Sequence, residues 1–140
     1  MKTTVQILKQ YWGYETFRPQ QEAVIDAVLT GKDVLTLLPT GAGKSLCFQV
    51  PTITNGGVCV VISPLIALMQ DQVKDLLDKN ISAVNLGGQI TPDAEDIILS
   101  DAKKGKYQFI YCSPEKLAQT NFQNFLSQIT IQLFAIDEAH

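Results

Sequence analysis

Long apolar runs are absent from the sequence, and none approaches the roughly 20 residues that a helix needs to cross a bilayer. Internal repeats and low-complexity tracts are absent too, and the opening segment Met1–Leu8 is too polar for a secretory signal. The 140 residues are 46% hydrophobic and 18% charged, which is enough apolar material for one globular domain with its own core. The composition therefore predicts a single domain with no membrane partner.

Cysteine and histidine are also scarce. The three cysteines, Cys47, Cys59 and Cys112, are odd in number and widely spaced, and two of them lie in apolar, strand-like runs. This pattern predicts buried thiols in a reducing compartment such as the cytoplasm, and it argues against a disulfide framework or a zinc site. His140 is the only histidine and has no metal-binding companions nearby, so we do not assign it to a metal.

Basic residues are outnumbered. Lysine and arginine total 11 against 14 acidic residues, for a formal net charge of −3. A basic stripe is the usual sign of a nucleic-acid-binding protein, so the average charge gives such a partner no support. A prediction of that kind has to rest on motifs.

Helical and strand-like segments alternate along the chain. We predict strands at Asp33–Leu38, Val58–Ile62, Ala83–Leu86, Gln108–Cys112 and Ile131–Ile136. We predict helices at Thr3–Trp12, at Gln20–Leu29 after Pro19, and from about Lys44 to Val50, where Pro51 disturbs the continuation. Further helices are predicted from Ser63-Pro64 to Asp78 and from Thr91-Pro92 to Lys103, with one more helical turn after Ser113-Pro114. This alternation predicts an α/β fold with a mostly parallel sheet between two layers of helices.

A glycine-rich segment, Leu38–Ser45 (LPTGAGKS), follows the first predicted strand. It matches the phosphate-binding pattern G-x-x-x-x-G-K-[ST] except that Leu38 replaces the first glycine. The loop residues predicted to cradle ATP phosphates are Thr40, Gly41, Ala42, Gly43, Lys44 and Ser45. Lys44 is placed to pair with the β- and γ-phosphates, and the Ser45 hydroxyl to ligate Mg²⁺. An ordinary glycine turn is the alternative, which the flanking strand and helix disfavour.

Two adjacent carboxylates end the last predicted strand, in the segment QLFAIDEAH. We predict that Asp137 holds Mg²⁺ and that Glu138 is the general base for the water that attacks the γ-phosphate. Acidic residues are common at helix N-termini, so this signal is weak by itself. Together with the phosphate loop it indicates a P-loop NTPase with Lys44, Asp137 and Glu138 as the catalytic set.

The tetrapeptide DEAH and the segment PTGAGKS together resemble a superfamily 2 helicase. The surrounding segments resemble, in order, motifs 0, I, Ia and Ib of the RecQ family of DNA helicases: GYETFRPQQ at Gly13–Gln21, LPTGAGKSLCFQVP at Leu38–Pro51, VVISPLIALMQDQV at Val60–Val73 and YCSPEKL at Tyr111–Leu117. This set of motifs covers nearly the whole chain.

The resemblance implies a RecA-like motor domain that couples ATP hydrolysis to 3′–5′ unwinding of DNA in repair or recombination, with Mg²⁺ as cofactor. DNA at a junction of single and double strands is the implied partner, and the sequence leaves protein partners unknown. Tyr14 is implied to stack on adenine, while Arg18 and Gln21 are implied to contact the base or a nearby phosphate.

The resemblance also implies DNA-backbone contacts in the two Ser-Pro segments. Ser63 and Ser113 are expected to open helices whose N-termini could receive phosphates, and Lys116 is a further candidate contact. The alternative is that both serines are simply helix caps, and the two interpretations are compatible.

The resemblance further implies that residues 1–140 are only part of a first motor domain that stops after the DEAH strand. A central strand of the sheet and a second motor domain with an arginine finger are expected elsewhere in the complete protein. Three other functions remain open: an RNA helicase, which FRPQQ disfavours, a nucleotide-binding module without turnover, and a kinase or transporter ATPase.

Overall fold

A computed structural model describes residues 2–31 and 43–136. The predicted strand Asp33–Leu38, the loop residues Thr40–Ala42 and the segment Asp137–His140 lie outside these ranges. The contacts within the chain divide it into two compact units, residues 1–56 and 57–140.

In residues 2–31 and 43–56 the first unit contains three helices: α1 (Thr4–Trp12), α2 (Pro19–Leu29) and α3 (Leu46–Asn55). Thr3 caps α1, because its hydroxyl accepts from the Gln6 N–H while the Gln6 side chain accepts from the Thr3 N–H. α2 begins with Pro19, whose fixed φ and missing N–H suit the first helical position. Both helices were predicted within one residue of their bounds.

The core of the first unit lies between these helices. Its buried side chains are Ile7, Leu8, Ile25, Leu46 and Val50, with one or more from each helix. Ile7 and Leu8 are adjacent and lie on the buried side of α1. Leu46 and Val50 are four positions apart on α3, so they project from the same side of that helix.

The helix α3 continues past Pro51, where the sequence predicted a disturbance, so that prediction was wrong. Proline removes one backbone donor from the helix. The threonine hydroxyls that follow do not replace this donor, which would have met the Cys47 carbonyl: Thr52 donates to the Phe48 carbonyl at 2.8 Å and Thr54 to the Val50 carbonyl at 2.9 Å. Pro51 itself is buried, and this packing favours the continued helix.

The second unit is an α/β arrangement. Its elements in chain order are β1 (Val58–Ile62), α4 (Ile66–Asp78), β2 (Ala83–Asn85), α5 (Pro92–Lys103), β3 (Phe109–Cys112), α6 (Pro114–Leu117), α7 (Thr120–Leu126) and β4 (Ile131–Ile136). The four strands pair in parallel in the order β2-β3-β1-β4. All four were predicted from their β-branched, apolar runs.

Helices cover both faces of this sheet. On one face Val60 and Ile62 of β1 form a core with side chains from α5 and α7, among them Ala102, Phe122 and Phe125. The other face meets α4, where the Tyr111 hydroxyl donates to Gln72 Oε1 at 2.8 Å. The predicted three-layer α/β fold is therefore confirmed in the second unit.

Two local predictions in this unit need correction. Ser63-Pro64 does not open α4, which begins at Ile66 after Leu65. The Ser63 N–H donates to the Cys112 carbonyl at 3.1 Å and so continues the ladder between β1 and β3, which keeps the backbone extended at that point. The helix α7 was not predicted, because its polar sequence is a poor helix former; the burial of its phenylalanines contributes to its stability.

β4 is the outermost strand on its side of the sheet in the part of the chain that is described. Phe134 is 52% exposed and Ile136 66% exposed, although both are large apolar residues on a strand. No described helix combines the length and the apolar character that a membrane span requires.

Candidate nucleotide-binding site

The segment predicted to contact adenine forms the connection between α1 and α2. Gly13 ends α1 in the left-handed conformation, with φ of 75°, and its N–H donates to the carbonyls of Leu8 and Lys9. Tyr14 follows and is 58% exposed, so its ring face is available to a ligand. Phe17 packs instead against the core of the first unit, which anchors the loop behind Tyr14.

Gln21 occupies the third position of α2 and is only 4% exposed. Its Oε1 accepts from the Arg18 N–H at 3.0 Å, which satisfies a donor at the start of the helix. Its Nε2 donates to the Gly43 carbonyl at 3.1 Å, across 22 positions of sequence. The structure therefore joins the predicted adenine segment to the predicted phosphate loop.

Gly43 is the residue where these two segments meet, and its backbone accommodates no side chain. Its φ is 70°, in the left-handed region that favours glycine. A Cβ atom on Gly43 would lie 2.4 Å from Gln21 Nε2, which is closer than non-bonded atoms approach. The conformation therefore favours glycine here, and a larger residue would also displace the Gln21 amide.

Lys44 and Ser45 lead from Gly43 into α3 and are both half-buried. The turn is closed by the Leu46 N–H, which donates to the Gly43 carbonyl at 3.1 Å, and by the Cys47 N–H, which donates to the Lys44 carbonyl at 3.0 Å. Ser45 occupies the N-cap position of α3, but its hydroxyl makes no capping hydrogen bond to the helix. The positive end of the α3 dipole adjoins this turn, a favourable setting for phosphate oxygens.

The thiols near the predicted sites are not suited to act as ligands or nucleophiles. Burial raises the pKa of Cys47 from 9.0 to about 11. Burial raises the pKa of Cys112 to about 11 as well, and the Lys116 ammonium partly opposes that increase. Both groups are protonated at neutral pH, and all three cysteines are buried, as predicted.

The residues predicted to contact DNA lie in the second unit, at the carboxyl ends of β1 and β3. The Ser63 hydroxyl is buried and accepts from the Leu65 N–H at 3.2 Å. The Ser113 hydroxyl caps α6 by accepting from the Lys116 N–H at 3.2 Å, so its predicted capping role is confirmed. Contact of either serine with DNA stays a prediction.

Lys116 has a carboxylate partner that the sequence did not reveal. Its ammonium lies 2.5 Å from Glu95 Oε1, and the two side chains are 13% and 11% exposed. The ammonium also donates to Gln119 Oε1 at 3.2 Å. Glu95 stands 21 positions away on α5, where an acidic residue suggests a solvated face, so no local signal would have found the pair. A phosphate contact by Lys116 would require the ammonium to leave Glu95.

A parallel sheet covered by helices on both faces and a glycine turn that opens a helix are features of the α/β class of P-loop motor domains. The DEAD/DEAH box helicase family matches residues 18–140. The chain belongs to the DEAD/DEAH box helicase family, as the motifs of the sequence predicted.

Several curated relatives are similar to the chain over nearly its whole length. It is 42% identical over 139 residues to the ATP-dependent DNA helicase RecQ of Pasteurella multocida, covering 99% of this chain and 22% of that protein. It is 43% identical over 139 residues to the bifunctional 3′-5′ exonuclease/ATP-dependent helicase WRN of Mus musculus, covering 97% of this chain and 10% of that protein. The chain thus spans about a fifth or less of the length of these relatives.

Solved structures show the same fold. A crystal structure of the DUF1998 helicase MrfA bound to DNA superposes with a TM-score of 0.72 at 20% sequence identity, over 97% of this chain and 20% of that one. The same helicase bound to DNA and AMPPNP gives a TM-score of 0.73 at 19% identity. The fold is therefore that of a RecA-like helicase motor domain.

Proposed function

We propose that the complete protein is an ATP-dependent DNA helicase of the RecQ type that couples ATP hydrolysis to 3′–5′ strand unwinding at junctions of single- and double-stranded DNA. Residues 1–140 would form part of its first motor domain and supply much of its ATP site. The relatives named above are ATP-dependent helicases, and MrfA was solved with DNA, which supports this proposal. Three buried cysteines at wide spacing are typical of a reducing compartment, so we place the complete protein in the cytoplasm, associated with the nucleoid if it is bacterial, or in the nucleus if it is eukaryotic.

The observation that carries the proposal is the hydrogen bond between Gln21 and Gly43. The adenine-contacting segment and the phosphate loop serve one nucleotide only if they lie side by side. Tyr14 presents an exposed ring near the start of α2, and Gly43 begins the turn into α3. An adenine stacked on Tyr14 and phosphates at Lys44 would therefore belong to one bound ATP, with Arg18 close to the same base or phosphate.

The residues of the turn suit ATP and magnesium. Lys44 would pair with the β- and γ-phosphates, and the backbone of Thr40, Gly41, Ala42 and Gly43 would surround them. The Ser45 hydroxyl does not cap α3, so its oxygen suits a hard cation such as Mg²⁺. When bound, Mg²⁺ neutralises charge that develops on the phosphates. Asp137 would hold the metal ion and Glu138 would accept the proton of the attacking water.

The DNA backbone would approach the carboxyl ends of β1 and β3, where the segments of Ser63 and Ser113 lie. In parallel α/β sheets ligands bind beyond these strand ends. Lys116 would contact a DNA phosphate once its ammonium leaves the Glu95 carboxylate. The remaining parts of the motor, including an arginine finger, would come from the rest of the complete protein.

The proposal is tested with Lys44→Ala in the full-length protein. Removing the ammonium from the transferring phosphate should lower DNA-stimulated ATPase activity by at least roughly 10²-fold and abolish unwinding. Lys104→Ala, an exposed lysine after α5, is the matched control and should retain both activities. A folded Lys44→Ala protein with near-normal turnover would contradict the proposed site, and wild-type nucleotide binding without turnover would favour a binding module.

A further inference from the structure

The Gln21 side chain is held at both ends of its amide. Oε1 accepts from the Arg18 N–H at 3.0 Å and Nε2 donates to the Gly43 carbonyl at 3.1 Å. With 4% exposure, the side chain has little freedom to leave this position. The bond to Gly43 is accepted by a main-chain carbonyl, so it acts on the backbone of the turn.

Holding the Gly43 carbonyl also sets the direction of the next amide. The peptide bond between Gly43 and Lys44 is planar and trans, so its C=O and N–H point in opposite directions. With the C=O directed at Gln21, the Lys44 N–H is directed away from α2. The Leu46 N–H donates to the same carbonyl at 3.1 Å, which adds a second constraint on this peptide unit.

The glycine at position 43 fits this arrangement closely. A Cβ there would lie 2.4 Å from Gln21 Nε2, so any larger residue would displace the amide or twist the peptide. Gly43 and Gln21 should therefore behave as a coupled pair.

We propose that Gln21 is a positioning residue for the phosphate loop: by holding the Gly43 carbonyl it orients the Lys44 N–H toward the phosphates, whichever base the nucleotide carries. This inference rests on the proposed ATP site and adds a role that differs from base recognition. A base contact alone affects only ligands that carry the base, whereas an oriented amide affects every ligand that carries the phosphates.

The test compares three ligands, ATP, GTP and inorganic tripolyphosphate, each with Mg²⁺, in competition against a fluorescent ADP analogue on the full-length protein. Gln21→Ala should raise the dissociation constants of all three by a similar factor, about 2- to 10-fold for one lost hydrogen bond. Tyr14→Ala should raise the constant for ATP and leave that for tripolyphosphate unchanged. If Gln21→Ala weakened ATP alone, the positioning role would be refuted while the ATP site stood. Failure of the wild-type protein to bind any of the three would overturn the ATP site itself.

Two controls separate positioning from helix capping and from misfolding. Gln6→Ala removes the equivalent cap from α1, where Gln6 Oε1 accepts from the Thr3 N–H at 2.8 Å, and should leave all three dissociation constants unchanged. Gln21→Met keeps the volume of the side chain without its donor, so it should reproduce the base-independent loss even if Gln21→Ala folds poorly. Unchanged constants in a folded Gln21→Met protein would contradict the proposal.

A double-mutant cycle tests the coupling directly. Gly43→Ala should weaken tripolyphosphate binding, and this loss should be at least about 2-fold smaller in the Gln21→Ala background, because the clash with Nε2 is gone while the strain at positive φ remains. Equal losses in the two backgrounds would show that the two residues act independently and would refute the proposal.

Discussion

At the residue scale, the thiols of Cys47 and Cys112 connect burial to the pH dependence of stability. The pKa of each is about 11 in the folded protein against 9.0 ordinarily, because burial disfavours the thiolate. The folded state therefore holds these protons more tightly than the unfolded state. The resulting contribution to stability is fully present below pH 9 and is lost as the pH rises toward 11.

As the pH rises from about 9 to about 11, we expect the free energy of unfolding to fall by about 1–2 kcal/mol for each thiol. Urea denaturation curves recorded across this pH range measure the fall. Replacing both residues, as Cys47→Ala/Cys112→Ala, should flatten this fall, although lysines and tyrosines titrate in the same range in both proteins. The comparison is between the slopes of the two proteins, since the alanines also lower the baseline. Identical slopes would show that the thiols do not titrate differently on folding.

The two carboxylates that follow β4 in sequence carry a separate residue-scale prediction. Glu138→Gln should retain binding of ATP and Mg²⁺ but lower turnover by roughly 10²–10⁴-fold, because an amide cannot accept the proton of the attacking water. Asp137→Asn should in addition raise the Mg²⁺ concentration needed for activity. The measurements are nucleotide binding and ATPase activity on the full-length protein.

Glu115→Gln, an exposed carboxylate on α6, is the control and should leave turnover unchanged. Wild-type turnover in Glu138→Gln would move the general base to another residue.

At the scale of elements, α5 and α6 are joined by the ion pair between Glu95 and Lys116. Both side chains are largely buried, so removing one partner leaves the other charge with poor solvation. We expect Glu95→Gln and Lys116→Met each to lower the free energy of unfolding by about 1–3 kcal/mol, and the double variant to lose less than the sum. Chemical denaturation of the four proteins measures the coupling.

The exposed pair Lys74–Asp78 on α4 provides the matched control, with 3.5 Å between its charged atoms. Asp78→Asn should change stability by less than about 1 kcal/mol, since exposed pairs contribute little. If Lys116→Met cost no more than Asp78→Asn, the buried pair would not stabilise the contact between α5 and α6. Lys116 would then be better explained as a phosphate contact.

At the scale of the whole molecule, the exposed apolar residues of β4 bear on whether the isolated 140-residue chain self-associates. Phe134 and Ile136 are exposed on the outermost described strand, and such a strand readily pairs with another chain. Under the proposed function, the other parts of the motor, including an arginine finger that contributes about 10³–10⁵ in rate, would be supplied by segments other than residues 1–140.

We therefore expect purified residues 1–140 to aggregate or self-associate, and to show at most traces of ATPase activity and no unwinding. Size-exclusion chromatography, unfolding curves and DNA-stimulated ATPase assays check this. Phe134→Thr should reduce self-association, while Gln132→Thr, on the same exposed face of β4, should not. A monomeric, cooperatively folded and fully active chain would contradict the expectation.

Much of the fold could be predicted because its signals are local. The strands β1 to β4 were found from short β-branched runs, and α2, α5 and α6 from a proline at the first helical position. The helicase family was likewise predicted from motifs that occur in a fixed order, since phosphate binding requires particular residues at particular spacings. These properties depend on neighbours in sequence, and the sequence alone was sufficient for them.

Contacts between distant segments were decided only by the tertiary structure. Ser63 stays extended because it pairs with β3, and α3 continues through Pro51 because the packing of this buried residue offsets the missing donor. The bonds from Gln21 to Gly43 and from Lys116 to Glu95 join residues 22 and 21 positions apart. Propensity and spacing describe how a segment folds by itself, whereas these features depend on which segments the packed chain brings together.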